Sequence, residues 1–205
     1  MVLFPLSALA SEEGEYTFNQ NKCGACHTTA RPGAPLSVLD ALNSTGPPLW
    51  YAGSKFQRGF IANWLVNPAP IRPMEYLSLT EENKGAHPNL STLDAADVAS
   101  YLMSLKSTDV KQTGLTPSAN LTGKKLFGRG VSCYGCHRVR RGSKVIGGVT
   151  GPTLTGVTSR LNPDWIYAFL SAPKNFGTGS GMPVYSGVLT DNEIRALAAH
   201  VASFD

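Results

Sequence analysis

The sequence predicts a mainly α-helical chain that contains two small tandem domains. Three observations lead to this prediction: a five-residue motif that occurs twice, a longer pattern repeated at an offset of 105 residues, and apolar residues at helical spacing with few period-two strands. The chain has 205 residues, of which 42% are hydrophobic and 16% charged, and this composition is typical of a folded protein rather than a disordered one. No apolar run approaches the roughly 20 residues that span a bilayer, so no transmembrane segment is expected.

The first ten residues are apolar and end in Ala8-Leu9-Ala10, ahead of the polar Ser11. A pair of small residues separated by one position after a hydrophobic run is typical of the cleavage site of an export signal, although the usual basic start is missing. We therefore interpret residues 1–10 as the remnant of an export signal, with a retained N-terminal arm as the alternative. Residues 1–10 are left out of the fold prediction.

All four cysteines lie in the five-residue motif, which reads Cys23-Gly24-Ala25-Cys26-His27 in one copy and Cys133-Tyr134-Gly135-Cys136-His137 in the other. A zinc ribbon requires its second cysteine pair about 15 to 20 residues after the first. Here 106 residues intervene. A thioredoxin-like redox motif requires a βαβ unit, and no such pattern surrounds either pair.

Covalent haem attachment explains the motif best. Two thiols at positions i and i+3 can form thioethers with the haem vinyl groups, and the adjoining histidine can reach the iron. The sequence therefore predicts two haem c groups and two irons. Cys23, Cys26, Cys133 and Cys136 would attach them, with His27 and His137 as proximal iron ligands. Because attachment uses every cysteine, no thiol is left as a nucleophile or iron ligand.

Each motif is followed by the same longer pattern. Gly46-Pro47-Pro48-Leu49 corresponds to Gly151-Pro152-Thr153-Leu154, and a later aromatic-Ile-x-x-aromatic-Leu-x-x-Pro string ends at Pro68 in one copy and at Pro173 in the other. The constant offset indicates one duplicated unit. We predict a first domain over residues 11–110, a polar linker over 111–118 and a second domain over 119–205.

Each unit contains three short helical patterns. The first precedes the motif (Glu12–Lys22 and Leu121–Val131), and the second carries the aromatic-Ile string and ends before proline. The last is amphipathic: Ser91 or Thr92 caps Leu93–Leu105, and Thr190 caps Asp191–Ser203.

Taken together, the Cys-x-x-Cys-His motifs, the Gly-Pro-x-Leu segments, Met182-Pro183 and the closing amphipathic helix resemble class I cytochromes c. The duplication resembles the two-domain, dihaem cytochromes c of the c-four type. The resemblance implies a small helical fold wrapped around one covalent haem in each domain, with Met182 as distal ligand of the second. The residues expected to wall the haems from water are Pro47, Leu49, Trp64, Pro152, Leu154 and Phe169, together with Phe60 and Trp165.

The distal ligand of the first haem is open between two residues. Met74 follows Pro68 but is succeeded by Glu75 instead of proline, whereas His87-Pro88-Asn89-Leu90 resembles the family's Met-Pro-Asn-Leu. His87 lies 14 residues before Tyr101, close to the 18 residues between Met182 and His200, while Met74 lies 27 residues before Tyr101. Spacing therefore favours His87 as the iron ligand, with Met74 as the alternative.

Charge is divided unevenly along the chain. Residues 1–114 contain 8 Lys and Arg against 10 Asp and Glu, a net −2, and residues 115–205 contain 10 against 4, a net +6. The excess clusters at Arg138, Arg140, Arg141 and Lys144. These cations could pair with haem propionates or steer an acidic partner, and a solvated loop is the plain alternative. No nucleic-acid recognition module is visible.

The expected function is transfer of single electrons between a redox protein donor and an acceptor, in the periplasm or elsewhere outside the cytoplasm. The protein is not expected to be an enzyme. One alternative is a tightly bound redox subunit of a membrane respiratory complex or another larger oxidoreductase. A dihaem peroxidase is a weaker alternative because the chain is short, and a sulfur-compound dehydrogenase is weaker because no cysteine is spare.

Overall fold

The computed structural model describes residues 6–33, 39, 43–75, 78–177 and 181–205, with the side chains of residues 6–10 excepted, and its fold is mainly helical. In the N-terminal half, here residues 1–110, the helices are α1 (Leu6–Gln20), α2 (Ala52–Lys55), α3 (Phe60–Val66) and α4 (Thr92–Ser104). In the C-terminal domain, residues 121–205, they are α5 (Leu121–Lys125), α6 (Val157–Arg160), α7 (Pro163–Ser171) and α8 (Asp191–Ala202). Short 3-10 helices cover Cys23–Ala25, Cys133–Gly135 and Pro173–Phe176.

The first and last helices of each half cross at a glycine. A Cβ atom added at Gly14 of α1 would clash with the carbonyl oxygen of Asp97 in α4, and one added at Gly123 of α5 would clash with that of Ala196 in α8. Only glycine allows such close backbone approach. A phenylalanine one turn later lies in the contact: Phe18 meets Tyr101 edge to face, with ring centroids 5.5 Å apart.

The predicted caps of the closing helices are confirmed. The Ser91 side chain accepts a hydrogen bond from the backbone N–H of Asp94, so Ser91 rather than Thr92 caps α4. Thr190 and Glu193 form a reciprocal capping box at the start of α8. Such side chains replace the helical partners that the first backbone N–H groups lack, which fixes where each helix begins.

The structure differs from the prediction in three elements. Helix α1 begins at Leu6, inside the segment interpreted as a signal remnant, while residues 1–5 lie outside the described residues. The helix predicted over 121–131 is α-helical only to Lys125 and continues as a π-helical turn over Leu126–Gly130. The Arg-rich run after the second motif forms strand β1 (Arg138–Arg141), which pairs antiparallel with β2 (Lys144–Gly147). Cations at successive positions hide the alternation by which strands are recognised.

Apolar side chains form two clusters, one in each half. Phe18, Ile61, Leu65, Val98 and Leu102 belong to the N-terminal cluster, and Phe127, Val157, Trp165, Leu170 and Leu197 to the C-terminal one. Trp50 and Tyr51, which precede α2, lie in the C-terminal cluster, so the two halves share part of a core. Among the described helices none is long and apolar enough to cross a membrane.

The halves meet through equivalent residues. The backbone N–H of Gln57 donates to Arg160 O at 2.9 Å, and that of Asn162 donates to Lys55 O at 2.8 Å. Gln57 and Asn162 are 105 positions apart, as are Lys55 and Arg160, so the same short segment of each copy pairs with its counterpart. Such self-complementary contact is what a two-fold arrangement of duplicated units produces.

The segment predicted as a linker, residues 111–118, is fixed against α7. The carboxylate of Asp164 accepts hydrogen bonds from the backbone N–H groups of Thr113, Gly114 and Leu115, at 3.0, 3.2 and 3.3 Å. Asp164 is only 4% exposed. A buried carboxylate that gathers several N–H donors is well satisfied, so this contact holds the connection in place.

Candidate haem sites

Both Cys-x-x-Cys-His motifs adopt the same backbone geometry. Lys22 and Ser132, the residues before the first cysteines, have left-handed conformations with φ of 55° and 50°. In each motif the fourth residue and the histidine donate their backbone N–H groups to the carbonyl of the first cysteine, at 3.2 and 3.0 Å. Both motifs therefore form the same tight turn, and the histidine follows the second cysteine directly.

The two motif histidines are oriented by proline carbonyls. His27 Nδ1 lies 2.8 Å from Pro47 O, and His137 Nδ1 lies 2.8 Å from Pro152 O. A histidine that donates its Nδ1–H to a carbonyl presents the lone pair of Nε2, which is the usual arrangement of a metal-ligating imidazole.

The glycine of each Gly-Pro pair makes room for the imidazole ring. A Cβ atom at Gly46 would lie 2.8 Å from Cε1 of His27, and one at Gly151 would lie 2.7 Å from Cε1 of His137. Both separations are too short for real side chains, so the repeated Gly-Pro gives each ring a space and a hydrogen-bond acceptor. From the sequence the two prolines were expected only to wall the haems, and this orienting role is an addition. The recurrence of Gly-Pro after each motif was the available signal.

Burial lowers the pKa of both histidines below the ordinary value. For His27 the nearby His87 adds to the effect of burial, and for His137 Arg72 and Arg160 add to it, while the proline hydrogen bonds oppose it. The neutral imidazole is the form that binds iron, so the surroundings favour the ligating form at both sites.

The cysteine surroundings disfavour thiolates. Burial raises the pKa of Cys133 to about 11 and also raises the pKa of Cys23. A reactive or metal-binding cysteine requires a lowered pKa, and here the direction is the opposite. The chemistry that suits these two residues is a neutral sulfur, as in a thioether.

His87 lies opposite His27. The centroids of their rings are 6.1 Å apart, and the ring of Trp64 meets His87 edge to face at 4.7 Å. His87 Nδ1 lies 2.8 Å from Pro88 O, so the third histidine is also oriented by a proline carbonyl. Two imidazoles bound to one metal have ring centres roughly 6 Å apart, since each metal–nitrogen bond is about 2.0 Å and the ring centre lies about 1 Å further. The observed separation fits an iron between the two rings.

Met74 lies in a separate loop. It is buried, at 8% exposure, and its backbone forms an antiparallel bridge with Glu82. The same loop is closed by hydrogen bonds from Glu75 N to Glu81 O and from Asn83 N to Pro73 O. Residues 76 and 77 of this loop lie outside the described residues.

Met182 lies in the loop between the 3-10 helix Pro173–Phe176 and α8. It is half-buried and packs against the C-terminal cluster, and residues 178–180 just before it lie outside the described residues. The chain after Met182 is tied down by the backbone N–H of Tyr185, which donates to Leu170 O at 3.0 Å. This places the predicted distal methionine beside the end of α7.

The other predicted wall residues lie near their motifs. Leu49, Phe60 and Trp64 pack against the N-terminal cluster, Leu154 and Phe169 pack against the C-terminal one, and Trp165 belongs to it. Leu49 N donates to Thr28 O at 2.8 Å, and Leu154 N donates to Arg138 O at 2.9 Å, so each Gly-Pro-x-Leu segment is bound to the residue directly after its motif histidine. His200, on α8, is buried against Phe127 and Phe204.

A cluster of cations that the sequence did not predict lies between the halves. Lys55 is half-buried, with Nζ 5.0 Å from the ring centroid of Trp165, and burial together with the charges of Arg160 and Arg72 lowers its pKa to about 8. Arg160 is 6% exposed, and burial lowers its pKa to about 10. Arg72 crosses between the halves to donate to Thr150 O at 3.0 Å.

The cluster has the character of an anion site. Trp165 Nε1 is buried and has no hydrogen-bond partner among the described residues. Because an indole N–H can only donate, it requires an acceptor. Lys55 and Arg160 are like charges close to this donor, and an anion among them would relieve their repulsion. Haem c carries two propionates, so the residues present fit the group that the motifs predict. Only the tertiary fold brings these residues together, and their sequence positions carried no signal.

Comparison with known proteins supports the same chemistry for the second site. Residues 121–205 match the family model described as Cytochrome c. The C-terminal domain is therefore a cytochrome c domain, and its function is haem-based electron transfer. The match covers fewer than half of the 205 residues, and the first motif lies outside it. The chain matched none of the curated proteins or solved structures with which it was compared.

Proposed function

We propose that this protein is a dihaem c-type cytochrome that carries single electrons between redox proteins outside the cytoplasmic membrane. Haem c, when bound, supplies reversible one-electron exchange between ferric and ferrous iron. The C-terminal domain carries this function by its family. The N-terminal half is included because its motif has the same backbone turn, the same proline-oriented histidine and the same glycine beside the ring. The periplasm fits because cytochrome c domains are generally extracytoplasmic.

The placement of His27 and His87 carries the proposal for the first haem. Their ring separation of 6.1 Å and the proline carbonyl at each Nδ1 support a pair of imidazole ligands on one iron. We assign His87 rather than Met74 as the distal ligand. At the second site we assign His137 and Met182. Iron with both axial positions filled by protein exchanges electrons without binding substrate, which favours a carrier over a peroxidase.

The remaining residues hold and shield the haems. Trp64 packs on His87 and donates its own Nε1–H to Ala69 O at 2.8 Å, so it restrains the distal imidazole. Lys55, Arg72, Arg160 and Trp165 would bind propionates between the halves. Binding there would offset the mutual repulsion of the cations and stabilise the contact between the two halves.

The test compares His87→Ala with Met74→Ala in holoprotein that carries two haems. We expect His87→Ala to leave the first ferrous haem open to carbon monoxide and to remove its bis-imidazole electron paramagnetic resonance signal. Met74→Ala should leave both readouts as in the unaltered protein. The unaltered protein should show one methionine-to-iron charge-transfer band per two ferric haems, and two separated reduction potentials, because a thioether ligand raises the potential relative to a second imidazole.

Two results would overturn these assignments. If Met74→Ala opens the first haem and His87→Ala does not, Met74 is the distal ligand. If the purified holoprotein contains one haem, attached at Cys133 and Cys136 only, the dihaem proposal fails while the C-terminal cytochrome c domain remains.

A further inference from the structure

The positive charge of the C-terminal domain is not neutralised within its own segment. Residues 110–163 contain nine Lys and Arg residues and no Asp or Glu. The two acidic residues that flank this segment are engaged elsewhere: Asp109 pairs with Arg31 at 2.8 Å, and Asp164 holds the connecting segment through Thr113. Apart from the buried Arg160, the cations of this segment are therefore available to a partner.

Much of this charge is presented by one hairpin, residues 138–147, which we call the basic hairpin. Its strands pair Arg140 with Val145 and Arg141 with Lys144 around a turn at Gly142. All five of these residues are exposed, whereas Val139 is 2% exposed and anchors the hairpin in the core. In the part of the chain that the structure describes, no acidic residue forms an ion pair with Arg140, Arg141 or Lys144.

The basic hairpin is fixed directly to the second haem motif. Gly148 N donates to Tyr134 O at 2.8 Å, inside the Cys-x-x-Cys turn. A Cβ atom at Gly147 would clash with the carbonyl oxygen of His137, so the return strand lies against the motif backbone. The guanidinium of Arg141 lies over the ring of Tyr134, 5.6 Å from its centroid. A partner bound to the hairpin would thus lie beside Cys136, the exposed attachment residue of the second haem.

The surface also has an apolar component. Val145 is 54% exposed and is the cross-strand neighbour of Arg140, so both lie on the face opposite the buried Val139. Lys124 and Lys125 of α5 are further exposed cations of the same domain. An exposed apolar side chain beside a cation matches the composition of protein interfaces, in which apolar contacts are bordered by polar and charged groups.

We infer that the basic hairpin is the docking surface for an acidic face of a redox partner protein. The inference rests on the proposed function and adds where one partner binds and what its surface carries. Complementary charge would steer the partner to the hairpin, and Val145 would provide an apolar contact after docking. The N-terminal half lacks an equivalent charge excess, so this partner would discriminate between the two haem sites.

The test uses the dihaem holoprotein and an acidic blue copper protein as probe. We expect Arg140→Glu/Lys144→Glu to lower the second-order rate of electron exchange at low ionic strength by about tenfold or more, because steering by charge changes association rates by about 10- to 1000-fold. The rate of the variant should also depend less on salt. The matched control is Arg58→Glu/Lys84→Glu, which changes the net charge equally at exposed positions of the N-terminal half. We expect that control to lose less than about threefold, since charges remote from the docking surface are screened.

A third variant, Arg140→Gln/Lys144→Gln, protects the test against misfolding, because it removes charge without adding repulsion. Its rate should fall between those of the unaltered protein and the glutamate variant. Equal losses in the hairpin and control variants would overturn the inference, because net charge alone would then explain the effect. Hairpin-dependent sedimentation with vesicles of equimolar phosphatidylcholine and phosphatidylserine, with no effect on the probe rate, would overturn it in favour of a lipid surface.

Binding without electron transfer separates this inference from the proposed function. The zinc-substituted, redox-inactive probe should bind the unaltered holoprotein in calorimetric titration and bind the glutamate variant at least about tenfold more weakly. Hairpin-dependent binding without electron exchange would contradict the proposed function and leave the docking surface standing. Rapid electron exchange that does not depend on the hairpin would contradict the docking surface and leave the proposed function standing.

Discussion

The two halves of this molecule share the fold of the Cys-x-x-Cys-His motif and a helix crossing at a glycine, but they differ in the predicted distal residue and in net charge. Each has a left-handed residue before a Cys-x-x-Cys turn, a histidine held by a proline carbonyl, and a glycine beside the ring. On the other side the N-terminal half places His87 opposite His27, whereas the C-terminal domain offers Met182. Under the proposed function, the repeat would keep how a haem is attached and vary the residues that set its potential and its partners.

The largest effect is expected where the two halves are most alike, at the helix crossings. Gly14→Ala and Gly123→Ala would each force a Cβ atom into a backbone carbonyl of the facing helix. We expect each to lower the free energy of unfolding of the holoprotein by about 3 kcal/mol, the upper range for overpacking, since a backbone atom cannot move aside as a flexible side chain can. Denaturant unfolding followed by circular dichroism measures this.

Gly128→Ala is the control for the helix crossings. It lies in the turn that continues α5, and its added Cβ would be 3.9 Å from Tyr134, an ordinary contact. Because alanine is favoured over glycine in a helical backbone by up to about 1 kcal/mol, this variant should be at least as stable as the unaltered protein. A small effect of Gly14→Ala beside a large effect of Gly123→Ala would break the equivalence of the two crossings.

The shared turn of the two Cys-x-x-Cys-His motifs agrees with the repeat in the sequence, while their assignment to haem stays a prediction at residue level. The motif spacing identified Cys23, Cys26, Cys133 and Cys136, and the family match now supports the second pair as part of a cytochrome c domain. The closing helices and their caps were also predictable, because a cap residue and an amphipathic period are local signals.

What sequence could not predict depends on contacts between distant segments. Lys55 and Arg160 lie 105 positions apart, and only the pairing of the halves brings them to one site. The basic hairpin was hidden because consecutive arginines obscure strand alternation, while its buried anchor is the single residue Val139. The distal ligand of the first haem stays a prediction, and the placement of His87 opposite His27 favours the histidine.

A loss of stability of intermediate size is expected from variants at the contact between the two halves. Gln57 and Asn162 are equivalent, and each side chain crosses to the other half, donating at 3.0 Å to Leu161 O and Ser54 O respectively. Asn162 has a second role, because its Oδ1 also caps α7 by accepting from Asp164 N at 3.0 Å. We expect Asn162→Ala to cost about 2 kcal/mol and Gln57→Ala about 1 kcal/mol, since only the former loses a cap as well as a hydrogen bond.

Thermal unfolding of the holoprotein variants measures this difference. The double variant should cost less than the sum of the two single variants, because both residues stabilise one contact. Equal losses for the two single variants would show that the cap of α7 contributes little and that the halves are matched at this contact.

The smallest expected effect is on the pH dependence of stability. It distinguishes two equivalent helix positions, Tyr101 in α4 and His200 in α8. His200 is 9% exposed, and burial, with Lys124 and Arg141 adding to it, lowers the pKa of its imidazole in the folded protein. The unfolded chain therefore binds the proton more readily than the folded one. Stability supplied by the neutral His200 is fully present above the ordinary histidine pKa and is lost as the pH falls through that value towards the lower, folded pKa.

His200→Tyr, which installs the residue of the N-terminal half, should remove this part of the acid-side loss of stability. As the pH is lowered through the weakly acidic range, the unfolding midpoint of the variant should therefore fall less steeply than that of the unaltered protein. If both fall equally with pH, His200 is already protonated in the folded protein or is not buried in solution, and the two helix positions do not differ electrostatically.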